Sequence, residues 1–176
     1  MIVLLTAGAL LMVGYNFANS SVEKQLSAQK IFFPPNGPAT ASPEIGPFLN
    51  KYAGQQLVNG AQAQAYADHF IAVHLKEAAG GKTYAEVSAL SRQNPTNQTL
   101  AGQVQTLFRG ETLRGLLLNA YAFWKLGQIA LLAAIASFVL AGVMGVLTIL
   151  GFWHLRRVSP VEEILVPSIE KRRATA

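Results

Sequence analysis

The chain has 176 residues, 51% hydrophobic and 13% charged, and its apolar residues collect at the two ends, leaving a polar middle from about Ser20 to Arg114 with room for one small domain. A net charge of +5, from 14 basic and 9 acidic residues with no long basic run, excludes the electrostatic footprint of a nucleic-acid binder. The lack of cysteine removes disulfides, thiolate nucleophiles and thiolate metal centres together.

Met1 to Ala18 is apolar apart from Thr6, Tyr15 and Asn16. No basic residue precedes it, and Asn16 with Ala18 is a poor small-x-small cleavage signal, so residues 1–19 are expected to be an uncleaved first transmembrane helix. Eighteen residues rise only about 27 Å, barely the thickness of the hydrocarbon core. The helix is therefore predicted to continue through Ser20 to Gln29, with Val22 and Leu26 as a narrow apolar stripe.

Ile31-Phe32-Phe33-Pro34-Pro35 ends that helix, because each proline lacks a donor and disfavours the helical conformation of the residue before it. A Pro-rich loop over 34–47 is expected next. Phe32 and Phe33 could enter the membrane interface or pack beneath the polar segment, and packing is the preferred reading. Asn59 is a helix cap, the alanine-rich run after it predicts a helix from Gly60 to Ala79, and Tyr66, Phe70 and Val73 recur on one side. Gly80-Gly81 terminates it. Thr83-Tyr84-Ala85-Glu86 fits a capping box that opens a further helix with Tyr84, Val87 and Leu90 toward the core. Asn94-Pro95-Thr96-Asn97 is a turn. Leu100, Val104, Leu107 and Phe108 mark an amphipathic helix predicted to end near Gly110, after which another begins at Glu111 or Thr112 and enters the second transmembrane segment within 115–154.

That second segment is the strongest signal in the chain. Leu126 to Trp153 runs for 28 residues without a charged side chain, flanked by Trp124 and Lys125 on one side and by Trp153, His154, Arg156 and Arg157 on the other. The fold class expected is an all-α membrane protein: two transmembrane helices joined by a small helical extracytoplasmic domain over 20–114. Arg156 and Arg157, with Lys171, Arg172 and Arg173 further on, favour a cytoplasmic tail over 155–176 against Lys24, Arg114 and Lys125 on the other flank. Both termini are then cytoplasmic, and the middle faces the periplasm or the exterior of a bacterial plasma membrane.

Candidate chemistry is sparse. His69 and His74 lie five apart, about 140 degrees around a helix, and cannot share a metal as an i, i+4 pair does. His74 and Glu77 form one reversed pair where a di-iron bundle needs two with further carboxylates, so no metal site is assigned to Asp68, His69, His74 or Glu77. Ser21-Val22-Glu23-Lys24 and Ser27-Ala28-Gln29-Lys30 match Ser-x-x-Lys without its companion motifs, and no serine sits in a nucleophile elbow. No catalytic residue and no cofactor is expected. The second segment carries Ala133, Ser137, Ala141 and Gly145 at intervals of four, a groove where a helix can approach closely. Its occupant is either the first helix, through Ala7, Gly14 and Ala18, or an external helix. Arg109, Glu111 and Arg114 form the main charged cluster. Arg114 could meet a lipid phosphate, could join Arg109 on a partner's acidic patch, or could pair with Glu111 along the helix.

Ala28-Gln29-Lys30-Ile31-Phe32-Phe33-Pro34-Pro35, Tyr52-Ala53-Gly54-Gln55-Gln56 and Thr106-Leu107-Phe108-Arg109-Gly110-Glu111-Thr112-Leu113-Arg114-Gly115 before a terminal span resemble a group of two-span membrane proteins of actinobacteria and related bacteria. The resemblance covers nearly the whole chain. It implies the two-span topology and a role for the Phe-Arg-Gly-Glu-Thr-Leu-Arg-Gly segment, and brings no catalytic assignment.

By subtraction, the expected function is that of a noncatalytic accessory or assembly subunit of a larger membrane complex of respiratory or photosynthetic type, with other transmembrane subunits and membrane lipids as partners. The alternative is a freestanding envelope protein that binds a lipid or cell-wall component through the middle domain. An enzyme using Asp68, His69 or Glu77 stands third.

Overall fold

The computed structural model describes residues 1–158, so Lys171, Arg172 and Arg173 of the proposed cytoplasmic tail lie outside the described residues. The first helix, α1, spans Ile2–Gln29 as one unbroken rod of 28 residues, about 42 Å long. It stops at Lys30, whose φ of 53° is left-handed. The orphan carbonyls of its last turn find partners: the Lys30 N–H donates to the Ser27 carbonyl at 3.2 Å, and the Gln56 amide reaches the same oxygen at 2.7 Å.

Gln56 is there because the chain doubles back. The Leu57 N–H donates to the Ile31 carbonyl at 2.9 Å, the Phe33 N–H to Gln55 at 2.9 Å and the Gly54 N–H to Phe33 at 3.2 Å. This short antiparallel contact between residues 31–33 and 54–57, with Phe32 opposite Gln56, is a single bridge, and no strand occurs among the described residues. It separates two neighbouring aromatics. Phe33 is buried between Tyr52 and Tyr66, with ring centroids 5.0 and 5.4 Å away, whereas Phe32 points out, 57% exposed.

The stretch expected to be loop folds into helical turns: Pro38–Thr40, then α2 (Gly46–Leu49) and Asn50–Tyr52. Pro38 and Pro47 sit at first-turn positions, where a missing N–H costs nothing. Ile45 and Leu49 go into the core.

The helix expected over Gly60–Ala79 is present but not uniform. It opens as α3 (Gly60–Ala65), widens into a π-helical turn (Tyr66–Ile71) and continues as α4 (Ala72–Ala78). Asn59 caps it by accepting the Gln62 N–H at 3.0 Å. In return, the buried Gln62 side chain accepts the Val58 and Asn59 N–H groups at 2.8 and 3.2 Å. Gly80 and Gly81, with φ of 59° and 79°, reverse the chain in the left-handed region that favours glycine. The Thr83 capping box then opens α5 (Tyr84–Gln93), which buries Val87, while Tyr84 stays 40% exposed.

The last helix departs most from expectation. α6 runs from Gln98 to Arg157, 60 residues and about 90 Å, with no break at Gly110 or Glu111. Gly110 was expected to end a helix; it serves as a contact instead, since a Cβ there would overlap the buried Leu75 side chain of α4. Of the residues that mark the amphipathic stretch, Leu107 is buried and Phe108 is 55% exposed.

One apolar core joins these pieces. Val22 and Leu26 of α1, Phe33, Leu49, Leu57, Ala67, Ile71, Leu75 and Val87 of the middle, and Leu107 and Leu117 of α6 belong to a single buried cluster. The middle residues therefore build their core jointly with the second half of α1 and the first half of α6, rather than beside them. Burying side chains of this size stabilises by roughly 1.5–3 kcal/mol each before ordering costs.

Beyond that cluster α1 and α6 continue alone as an antiparallel hairpin. A Cβ on Gly127 would lie 3.0 Å from the Ala18 Cβ, one on Gly8 would strike the Phe138 ring, and one on Gly145 would meet the Met1 sulfur at 3.4 Å. Ala134 and Ala141, at the intervening positions, are 0% and 2% exposed. Both helices are long and apolar enough to cross a membrane, and their outward residues, among them Leu132, Ile135, Val139 and Leu147, are open to whatever surrounds them.

Candidate functional site

The small-residue stripe of α6 is rotated slightly from its expected position. Only Ala141 of the predicted set is buried; Ala133, Ser137 and Gly145 are half-buried, at the margin of a seam whose centre is Gly127, Ala134 and Ala141, seven residues apart. A repeat of seven keeps one face on a partner when two helices coil around each other, whereas a repeat of four drifts around the rod. The Ser137 hydroxyl is turned back to the Ala133 carbonyl at 2.8 Å. The first helix occupies the seam, and the flanking small residues remain partly open beside it.

Arg114 is held inside the middle segment. Its guanidinium donates to Asp68 at 3.2 Å and to Glu111 at 3.4 Å. Asp68 belongs to the π-helical turn, so the ion pair fastens that wide turn to α6. The buried Arg114 Nε makes no hydrogen bond. Along α6, Arg114 precedes Leu126 by twelve residues, about 18 Å, which sets it well outside the uncharged segment. Arg109 is exposed on the helix and Glu111 is half-open beside its arginine.

The remaining titratable residues are dispersed. His69 stacks flat on Phe48 with ring centroids 3.4 Å apart, and the His74 imidazole donates to the Phe70 carbonyl at 2.7 Å. Lys76 pairs with Glu44 at 3.7 Å across exposed surface. Among the described residues no three of His, Asp and Glu converge as metal ligands would. Burial raises the Tyr66 phenol above its ordinary pKa. Glu86 is lowered, first by the Thr83 N–H and then by the Thr83 hydroxyl, both of which donate to its carboxylate.

Two grooves flank the α1–α6 pair where it leaves the uncharged segment. One, of about 340 Å³, is walled by the two long helices alone: Val22, Gln25, Leu26 and Gln29 of α1 face Leu116, Asn119, Ala120 and Phe123 of α6. Leu116 is 62% exposed and Phe123 41%, although both precede Trp124 and Lys125 on the side of the polar middle. Phe123 continues downward into Phe17, edge to face at 6.3 Å. On the opposite side lies a groove of about 480 Å³, where Tyr52, Val58, Asn59 and Ala61 of the middle segment meet Tyr15, Asn19 and Glu23 of α1 and Trp124 and Gln128 of α6. The middle segment thus covers one side of the helix pair and leaves the other bare.

Sequence reasoning did not single out either groove. The i, i+7 pair Leu116 and Phe123, lying outside the uncharged run, was the available signal for the first; the second depends on a chain reversal that brings residues 52–61 back to α1. No family model, curated protein or solved structure matches the chain.

Proposed function

We propose that the chain is a noncatalytic accessory or assembly subunit of a larger bacterial membrane complex, held by two crossing helices with its middle segment on the extracytoplasmic side and both termini cytoplasmic. The observation that supports this reading is the bare groove between α1 and α6. Leu116, ten residues before Leu126 and 62% exposed, and Phe123 below it leave apolar surface uncovered on the polar side of the uncharged segment and at its edge, where a partner helix gains its burial. Gln25, Gln29 and Asn119 at the rim supply the hydrogen bonds that fix the register of such a helix. The half-buried Ala133, Ser137 and Gly145 extend the same approach into the lipid layer.

Mild-detergent extraction followed by sizing tests it. The chain is expected to migrate at fixed stoichiometry with a multisubunit assembly, and the double variant Leu116→Asn, Phe123→Asn to leave that assembly while keeping its helicity. A wild-type chain that elutes as a small single particle, or a double variant that stays in the assembly, refutes the docking face.

A further inference from the structure

The groove on the covered side carries chemistry of its own. If both helices cross a membrane, it straddles the boundary. Gln128 lies beyond Trp124 and Lys125, within the uncharged run, and Tyr15 lies a turn below Ala18, the contact of Gly127. Glu23 and Asn59 stand on the polar side. A volume of about 480 Å³ is within the range of small-ligand sites. Asn19 and Gln128 are half-buried in its wall, and among the described residues no side-chain hydrogen bond engages either, which leaves their polar atoms to a ligand in a setting where water is scarce.

The lining also discriminates by charge. Glu23 is its one ionisable acid, and no lysine or arginine lines it. A phosphate-rich anionic headgroup finds no cation among the lining residues, Lys51 standing instead on the Tyr52 ring, and meets the Glu23 carboxylate. An ammonium group finds that carboxylate together with the aromatic walls of Tyr15 and Trp124, whose ring faces attract cations, while the Tyr52 ring already carries the Lys51 ammonium 4.8 Å from its centroid. Trp124 is fixed in place because Gly60, buried at the start of α3, has no Cβ to push it away.

We propose that this groove binds the headgroup of a zwitterionic, ammonium-bearing phospholipid, with Glu23 as the partner of the ammonium group and Asn19 and Gln128 as hydrogen-bonding groups toward the glycerol backbone. The inference is independent of the accessory role, since it requires no second protein.

The test uses the full chain carrying Trp153→Phe, which leaves Trp124 as the sole tryptophan of the two, reconstituted in vesicles of neutral carrier lipid with equal fractions of brominated phosphatidylethanolamine or brominated phosphatidylglycerol. Quenching of Trp124 by the ethanolamine lipid is expected to exceed that by the glycerol lipid about threefold or more. Glu23→Gln is expected to abolish the preference, whereas Glu77→Gln, which lines a different groove, is expected to keep it. Equal quenching by the two lipids, or a preference that survives Glu23→Gln with unchanged circular dichroism, overturns the proposal. Glycerophosphoethanolamine added at millimolar concentration is expected to leave the quenching unchanged; full relief would assign the site to a soluble amine instead of a lipid.

Discussion

At the scale of single residues, two glycines of this chain are predicted to respond in opposite ways to one methyl group. A Cβ on Gly60 would collide with the Cβ, Cγ and Cδ2 atoms of Trp124, atoms close to the α6 backbone that cannot swing aside. Gly60→Ala is therefore expected to destabilise by about 1–3 kcal/mol and to shift Trp124 fluorescence. Gly102, on the exposed surface of α6 with open space around it, is expected to gain up to about 1 kcal/mol as alanine, from helix propensity alone. Thermal unfolding in detergent compares the two. A second prediction concerns pH. The Glu86 pKa lies below its ordinary value of 4.5, so the stabilisation from its bonds to Thr83 is complete above that value and is lost as pH falls through the lowered one. Amide exchange in the first turn of α5 is expected to quicken on acidification in that window, and Glu86→Gln to remove the dependence. Thr83→Ala should cost about 1 kcal/mol at neutral pH through the lost cap.

At the scale of elements, the caps and reversals were legible because their chemistry is local. Asn59, Thr83, the Gly80-Gly81 pair and the end of α1 lie where residue types alone put them. The departures arise from contacts distant in sequence. Gly110 looked like a stop because an isolated helix is weakened there, yet packing against Leu75, thirty-five residues earlier, uses the same absence of a side chain to bring α4 close. The Gln56 cap on α1 spans 29 residues and leaves no local trace. The π-helical turn is tied by Asp68 to Arg114, 46 residues away, a contact that no window along the chain contains. Of the small-residue stripe Ala133, Ser137, Ala141 and Gly145, only Ala141 is buried against α1, whose seam follows Gly127, Ala134 and Ala141 at intervals of seven, a spacing that keeps one face of a helix on its neighbour. Of the candidate grooves, nothing but the residue types was visible beforehand. The hairpin itself can be tested in a chain free of native cysteine: Ala18→Cys with Gly127→Cys is expected to cross-link, and Ala134→Leu, which forces a branched side chain into a position with no exposure, to suppress that cross-link and cost about 1–3 kcal/mol.

At the scale of the whole molecule, the proposed orientation makes a simple statement about reach. A cysteine placed at Ser88, on α5, is expected to react with a membrane-impermeant maleimide in intact cells, and one placed at Ala174 is expected to react only after lysis. The reverse pattern inverts the topology and removes the extracytoplasmic partner with it.

The unbroken α6 has a mechanical consequence. A rod of about 90 Å without a hinge acts as a lever: a tilt of about 10 degrees imposed at its Gln98 end moves the Arg157 end by about 15 Å. Torque applied to the polar middle, which grips the upper half of that rod through Leu107, Leu117 and the Asp68–Arg114 tie, is delivered to the far end without loss at a joint.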